Sequence, residues 1–235
     1  MNDVGFVTFA INTEDTDYLE LAYQQALNCK RTNPTFGYSV IVDDNTAELI
    51  EAKHKKAFDQ IVYIDLAYKN PMSNEWLVYF LSPYNETIKL ESDLLFTRSI
   101  EHWLDIFRLR SVVLSSGCKD YFGNTSNVRF YRQFFDDNNL PDVYNGLMYF
   151  RKDKTAEEFF TVAGEIVRHW DEIKDTVLKN CREEYLSTDV IYSVAAEVFG
   201  RERCTIPSAD FINFVHMKIK IQRWTVDEQW VDGIF

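Results

Sequence analysis

The chain has 235 residues, of which 46% are hydrophobic and 15% aromatic, so it can bury a sizeable core and predominant disorder is excluded. Its formal net charge of -12 means that nucleic acids and anionic membranes repel it on average. Four scattered cysteines without a Cys-x-x-Cys spacing favour buried, reduced thiols over a zinc site or a disulfide framework. No apolar run is long enough to span a membrane and no signal peptide is recognisable, so the sequence predicts a cytoplasmic protein.

The first part of the chain alternates between strand and helix patterns. Residues 4–11 form an apolar, β-rich run, and apolar spacing over residues 18–31 predicts a helix. Residues 38–42, 46–58 and 60–64 continue as strand, amphipathic helix and strand. This alternation predicts a parallel sheet of Rossmann type. No Gly-x-Gly-x-x-Gly follows the first strand and no P-loop motif occurs, which disfavours a dinucleotide cofactor and P-loop chemistry.

The second part of the chain mixes further helices and strands. Helical spacing is found at residues 74–84, 100–107, 156–173 and 187–199. Strand composition is found at residues 86–90, 111–115, 143–151 and 211–216, and residues 117–140 have loop composition. We predict one α/β domain, residues 1–235, with a mixed and mostly parallel sheet. Residues 1–93 would be its nucleotide-binding half and residues 94–235 its acceptor and sugar half.

Two acidic residues follow the strand predicted at residues 86–90. Glu91 and Asp93 are separated by one residue, and such positions project to the same side of a strand, so both carboxylates can converge on one cation. Carboxylate oxygens suit Mg²⁺ or Mn²⁺, which keep positions open for phosphate oxygens and neutralise a departing diphosphate. The competing interpretation is a solvated turn or a helix cap.

Two later segments carry polar residues in apolar surroundings. Asn145 and Gly146 interrupt an apolar strand, where glycine often marks the close approach of a ligand, with a simple β-bulge as the alternative. His216 ends the last strand and precedes Lys218 and Lys220, which combines a metal-ligand type with cations that suit a diphosphate. A core histidine and a solvated basic face are the alternatives.

The order of these features resembles GT-A glycosyltransferases, especially the family 8 group that contains galactosyltransferases and glycogenin. Residues 9–34 resemble the opening strand and helix of that group, and residues 82–105 its Asp-x-Asp metal segment. Residues 144–150 resemble its Asn-x-Gly strand, and residues 214–224 its ending with His, Lys and Trp. The resemblance covers nearly the whole chain. It implies a three-layer GT-A sandwich and hexosyl or pentosyl transfer from a nucleotide sugar, with UDP as its nucleotide and Mn²⁺ or Mg²⁺ as its cofactor.

The resemblance also implies roles for individual residues. The candidates are Asn12, Thr13, Tyr18, Gly146, Lys218 and Lys220 for donor binding, Glu91, Asp93 and His216 for the metal, and Asp189 and Asn145 for catalysis. Three departures from the family pattern leave the donor sugar and the stereochemistry open. Glu91 replaces the first Asp, Glu75 and Trp76 occupy a stretch that usually carries Arg, and only Asp189 survives from the family's Asp-Gln-Asp.

The acceptor is not defined by any motif. Arg129 and Arg132 alternate with aromatics in residues 127–135, which suits a sugar ring or a nucleic acid base, whereas an amphipathic helix with its phenylalanines in the core is the alternative. A glycan or protein is the expected acceptor, with hydroxymethylated bases of phage DNA as the alternative. The other function classes left open are a nucleotidyltransferase and a non-catalytic protein that binds sugar nucleotides.

Overall fold

A six-stranded mixed sheet is the centre of the computed structural model, which describes residues 3–119, 125–126, 133–183, 186–205 and 214–216. Its strand order is β3-β2-β1-β4-β9-β6, and a smaller sheet has the order β5-β10-β7-β8. The strands are β1 Val4–Phe9, β2 Gly37–Val42, β3 Gln60–Tyr63, β4 Glu86–Leu90, β5 Leu94–Phe96, β6 Val112–Ser115, β7 Cys118–Lys119, β8 Thr125–Ser126, β9 Tyr144–Arg151 and β10 Phe214–His216.

The direction of the strands confirms the predicted mixed, mostly parallel sheet. β1 pairs in parallel with β2 and β4, and β2 pairs in parallel with β3. Only β9 runs the other way, because it is antiparallel to both of its neighbours, β4 and β6. The buried parallel strands are nearly continuous apolar runs, as is typical of a sheet covered on both faces.

Helices cover both faces of this sheet. They are α1 Tyr18–Thr32, α2 Asp44–Ala47, α3 Ala52–Ala57, α4 Val78–Leu81, α5 Leu104–Phe107, α6 Phe134–Asp137, α7 Lys154–Arg168, α8 Trp170–Thr176, α9 Thr188–Phe199 and α10 Arg201–Cys204, with 3₁₀ helices at Pro71–Leu77 and Glu101–Trp103. One apolar core joins α7, α9 and the first 3₁₀ helix to the sheet, and a second core joins α1, α3 and α5 to its other face. The result is the predicted three-layer sandwich. Within the described ranges, no helix combines the length and the apolar character that crossing a bilayer requires.

Four of the predicted helices are divided or altered in the structure, and one of them, at residues 100–107, is divided between the 3₁₀ helix Glu101–Trp103 and α5. Residues 46–58 form α2 and α3, because Asp43 and Glu51 each cap a separate short helix. The pattern at residues 74–84 is divided between the 3₁₀ helix, which begins earlier, at Pro71, and α4. Residues 156–173 are divided between α7 and α8 at His169, whose backbone leaves the helical conformation. Periodicity therefore located these segments but not their ends.

Two glycines of the sheet make room for one aromatic ring. Gly5 of β1 lies opposite Gly37 of β2, and the ring of Tyr84 lies over both of them. A Cβ atom on Gly5 would be 2.3 Å from Cε2 of that ring, and one on Gly37 would be 2.6 Å from its hydroxyl oxygen. The hydroxyl is also within 2.6 Å of Oγ of Ser39, so the ring is fixed at both ends. The glycine pair is thus a packing requirement of the sheet.

We expect Gly5→Ala to destabilise the fold, although alanine is otherwise the better residue inside a strand. The added methyl group would overlap a buried ring, and overpacking of this kind costs about 1–3 kcal/mol. Urea denaturation should show this loss in the wild-type background and a much smaller loss in a Tyr84→Ala background. Equal losses in both backgrounds would show that the ring is not the cause.

Candidate functional site

A cavity of about 220 Å³ opens at the carboxyl ends of β1 and β4. The chain leaves β1 for β2 and β3 and then returns to β4 on the other side of β1, so these two ends form the topological switch point of the sheet. Ligands of open α/β sheets bind in this crevice. Phe9 and Ile11 line the cavity from the first strand and Leu90 from the fourth, with Thr188 at the start of α9 as a further wall.

The acidic turn, residues 91–93, forms the edge of this cavity and is held by a side chain of α1. Gln25 is fully buried, and its Nε2 donates to the backbone oxygens of Glu91 at 2.6 Å and Leu94 at 2.7 Å. Its Oε1 accepts a hydrogen bond of 2.7 Å from the hydroxyl of Tyr38. The backbone nitrogen of Glu91 donates to the oxygen of Gly146 at 3.1 Å. Both ends of the turn are therefore fixed before any ligand binds.

We expect Gln25→Leu to weaken Mn²⁺ binding at the acidic turn about 10- to 100-fold, the usual cost of losing a group that orients the ligands of a metal site. Leucine fills a similar volume but leaves two backbone oxygens of the acidic turn without their donor. Calorimetric titration with Mn²⁺ would measure the effect, which should be seen as a higher dissociation constant for the ion.

Asn28 offers a matched control for that measurement. It is equally buried on α1 and clamps Phe96 through two hydrogen bonds, of 3.0 and 2.7 Å, one residue beyond Leu95 of the same strand. Asn28→Leu should lower the free energy of unfolding about as much as Gln25→Leu does, without changing the affinity for Mn²⁺. Equal losses of Mn²⁺ affinity in both variants would contradict a specific role for Gln25.

Asn145 and Asp189 meet beside the acidic turn. The pairing of β6 with β9 shifts its register, because Leu114 lies opposite Met148 whereas Ser115 lies opposite Tyr144. This irregularity lets the backbone nitrogen of Asn145 donate to Oδ1 of Asp189 at 2.8 Å instead of to β6. The structure therefore brings together two of the predicted site residues that lie 44 positions apart.

A buried ion pair lies at the inner end of the cavity. Nζ of Lys89 on β4 contacts Oε2 of Glu75, which belongs to the 3₁₀ helix Pro71–Leu77. The side chain of Lys89 is 1% exposed and that of Glu75 is 16% exposed. Nδ2 of Asn145 donates to the same Oε2 at 3.0 Å and lies 3.3 Å from Oε1 of Glu91. One lysine thus stands among several carboxylates, and lysine is almost never fully buried without such a partner.

The electrostatic balance of this cluster is negative. Burial is the main cause that raises the pKa of Glu91 well above its usual range, and the charge of Asp93 raises it further. Lys89 acts in the opposite direction, and Asp189 and Glu75 add smaller upward contributions. Because four carboxylates face one ammonium group, the cluster gains stability from a further cation.

The donors at the acidic turn suit a hard divalent cation. Mg²⁺ in particular is often held by one or two carboxylates, with substrate phosphates completing its coordination. In the part of the chain that the structure describes, no group of three or more His, Cys, Asp and Glu is arranged to hold a metal. The predicted third ligand, His216, lies opposite Leu94 in the β10–β5 pairing. Leu94 directly follows Asp93 in the sequence. The side chain of His216 lies outside the described atoms, so its role as a ligand stays a prediction.

The other predicted residues are distributed as follows. Thr13 and Tyr18 line the cavity. The amide of Asn12 bonds to Asp17 and to the backbone nitrogen of Leu19, so this side chain holds the start of α1. Lys218 and Lys220 lie outside the described residues.

Three residues of the segments considered for ligand binding are explained by packing. A Cβ atom on Gly146 would lie 2.1 Å from the ring of Tyr144, so this glycine is needed for packing within its own strand. Phe134 and Phe135 are buried in the core, as the amphipathic alternative for residues 127–135 requires, whereas Arg129 and Arg132 lie outside the described residues. Among the cysteines, Cys29 and Cys204 are buried thiols.

Sequence reasoning missed Gln25 and Lys89 as parts of the site and noted Glu75 only as a departure from the family pattern. Lys89 carried a usable signal, since it is the one charged residue between Thr87 and Leu90 of a buried strand. Gln25 carried none, because polar residues on an amphipathic helix usually face water.

Comparison with known proteins identifies the fold of this chain but assigns it to no sequence family. No family model matches the chain, and no curated protein sequence matches it. The galactosyltransferase LgtC, in complex with donor and acceptor sugar analogs, aligns with a TM-score of 0.56 and 10% identity over 98% of this chain and 94% of LgtC. Mouse xyloside xylosyltransferase 1, in its apo form, aligns with a TM-score of 0.56 and 11% identity over 87% and 84% of the two chains.

A third structure, the glycosyltransferase GlyE of Streptococcus pneumoniae TIGR4, aligns with a TM-score of 0.56 and 12% identity. It matches 99% of this chain, which spans 60% of GlyE. Identities this low establish a shared fold and no more. The chain therefore has the fold of GT-A glycosyltransferases.

Proposed function

We propose that this protein is a divalent-metal-dependent glycosyltransferase that transfers a hexosyl or pentosyl group from a nucleotide sugar, with UDP as the nucleotide. The observation that carries the proposal is the acidic turn with Glu91 and Asp93, which borders a cavity at the switch point of a GT-A-type sheet. Sugar transfer by the three proteins of similar fold supports it.

The nucleotide would lie against the end of β1. Thr13 and Tyr18 line this side of the cavity, where an aromatic face and a hydroxyl suit a base and a ribose. The diphosphate would then point towards the acidic turn. Several carboxylates would repel it there unless a divalent cation lies between them, so the charge of the site itself argues for a metal.

Glu91 and Asp93 would hold Mn²⁺ or Mg²⁺, together with His216. The ion neutralises the negative charge that develops on the departing nucleoside diphosphate. Lys218 and Lys220 would add donors to the same phosphate oxygens. All of these groups act on the leaving side of the scissile bond.

Asp189 and Asn145 would act on the transferred sugar. The hydrogen bond from the backbone of Asn145 fixes one carboxylate oxygen of Asp189. The carboxylate can therefore accept a hydrogen bond from a hydroxyl group of the sugar in a defined orientation, which is the positioning that group transfer requires. Glycan or protein acceptors are favoured over DNA, because the net charge of -12 disfavours a polyanion.

A screen of nucleotide sugars, with slow donor hydrolysis scored by mass spectrometry, tests the proposal. We expect one UDP-sugar to be consumed with Mn²⁺ or Mg²⁺ and to be spared when EDTA is added. Binding of UDP and Mn²⁺ in calorimetry without consumption of any donor would instead identify a non-catalytic sugar-nucleotide-binding protein. Release of pyrophosphate from a nucleoside triphosphate and a sugar phosphate would identify a nucleotidyltransferase.

A further inference from the structure

The ion pair between Glu75 and Lys89 leaves one carboxylate oxygen available to a ligand. Oε2 of Glu75 accepts hydrogen bonds from both Nζ of Lys89 and Nδ2 of Asn145. Among the described residues, no hydrogen bond reaches the other oxygen, Oε1, although Glu75 lines the cavity. A carboxylate with one oxygen anchored and the other open to a cavity is a preorganised acceptor for a hydroxyl group.

A second observation at the same place also indicates a ligand. Asn145 is 1% exposed, and its Oδ1 is buried without a hydrogen-bond partner in the structure. Buried polar atoms of this kind normally have a partner, and the neighbouring Nδ2 already bridges Glu75 and Glu91. The cluster therefore has acceptor capacity that the described side chains do not use.

The charge of the cluster limits what can bind there. In the ionised forms that a bound divalent cation favours, Glu75, Glu91, Asp93 and Asp189 carry four formal negative charges, and Lys89 already shares its positive charge with Glu75. A divalent cation would not neutralise this cluster completely and would leave it still negative. A carboxylate on the transferred sugar would find no free cationic partner among the described side chains, and a buried unpaired charge is costly.

We propose that the Glu75–Lys89 pair selects the donor sugar. Glu75 accepts hydrogen bonds from hydroxyl groups of the sugar. The acidic surroundings restrict the site to neutral, hydroxyl-bearing sugars and exclude uronyl groups. This inference rests on the proposed function and goes further, because it names the class of sugar. Lys89 is a positioning residue that acts through Glu75, whose carboxylate touches the substrate.

The test compares hydrolysis of UDP-glucose, UDP-galactose and UDP-xylose with hydrolysis of UDP-glucuronate, first in the wild-type protein. A Glu75→Gln change alone would leave Lys89 buried without its counter-charge and is expected to damage folding. The informative variant is the double change Glu75→Gln/Lys89→Met, which removes both charges together. Replacement of a whole buried pair is often close to neutral for stability.

In the double variant we expect kcat/KM for the neutral donor to fall about 10- to 100-fold, because a charged acceptor of its hydroxyls is lost. The preference for the neutral donor over UDP-glucuronate should shrink at least about tenfold, because the neutral donor loses its hydrogen-bond acceptor while the uronyl group no longer meets the carboxylate of Glu75. Binding of UDP with Mn²⁺ should stay as in the wild-type protein, since UDP lacks the sugar. A purely structural role would change UDP binding and leave the donor ratio unaffected.

The pair Glu86–Arg108 provides a matched control at the other end of β4. The double change Glu86→Gln/Arg108→Met should leave both the donor ratio and UDP binding unchanged. Turnover with the same donor ratio in the Glu75→Gln/Lys89→Met variant and the wild-type protein overturns this inference alone, as does efficient use of UDP-glucuronate by the wild-type protein. UDP binding without turnover of any donor overturns the proposed function, and this inference with it.

Discussion

Asp93→Asn should abolish metal-dependent donor hydrolysis while the protein stays folded. A divalent cation contributes several kcal/mol to stabilisation of a departing diphosphate. Since each 1.36 kcal/mol is a factor of ten in rate, we expect a loss of about 10³-fold. The fold should survive because the backbone of the acidic turn is held independently, by Gln25 and by the oxygen of Gly146. Turnover against Mn²⁺ concentration, with thermal unfolding in parallel, measures both effects.

Asp105→Asn is the matched control for this variant. Its side chain is 92% exposed on α5 and makes a long ion pair with Arg108, at 3.7 Å. The same change of charge there should leave turnover unaltered. If Asp93→Asn keeps Mn²⁺-dependent turnover within a few-fold of the wild-type rate, the acidic turn does not bind the catalytic metal.

The strands of the large sheet could be predicted because a strand buried on both faces is a nearly continuous apolar run in the sequence. β4 was predicted at residues 86–90 and has those bounds, and β1, β2 and β9 differ from prediction only at their ends. Their order could also be anticipated in part, since strand–helix alternation favours parallel neighbours. The antiparallel direction of β9 could not be predicted in this way, because it depends on the long connection before this strand.

The short helices could not be predicted with the same success. Asp43 and Glu51 are both capping residues, and local sequence does not show that each begins its own helix instead of lying in one longer helix. The 3₁₀ helix at Pro71–Leu77 has an apolar spacing that an α-helix would share. Which of the two forms depends on packing against α7 and β4, which only the folded chain provides.

The candidate site was predictable where its residues are neighbours in sequence and not where they converge from a distance. Glu91 and Asp93 are two positions apart, so their common direction follows from strand geometry. Glu75 reaches Lys89 from a different element, and Gln25 reaches the acidic turn from α1, 66 positions earlier. Both contacts depend on how a helix is placed over the sheet, which no local pattern specifies.

Lys220→Ala should slow donor hydrolysis by about 10²–10³-fold, the usual cost of losing one preorganised donor to a developing negative charge. The argument starts from His216, which lies opposite Leu94 and so beside the acidic turn. Lys220 follows four positions later, and an extended chain covers at most about 14 Å over that distance. Together with the length of a lysine side chain, this leaves the ammonium group within reach of a diphosphate bound at the turn. Lys218, two positions closer, is the second candidate.

Single Lys220→Ala and Lys218→Ala variants, compared at saturating donor and Mn²⁺, decide between a phosphate contact and a solvated basic face. A phosphate contact lowers kcat much more for one lysine than for the other, whereas a solvated face costs less than about a few-fold for either. Lys154→Ala is the control, because the side chain of Lys154 is 88% exposed at the start of α7 and forms a long ion pair with Glu158. If both variants keep rates close to that control, the residues after His216 take no part in stabilising the leaving group, and the metal alone must carry that charge.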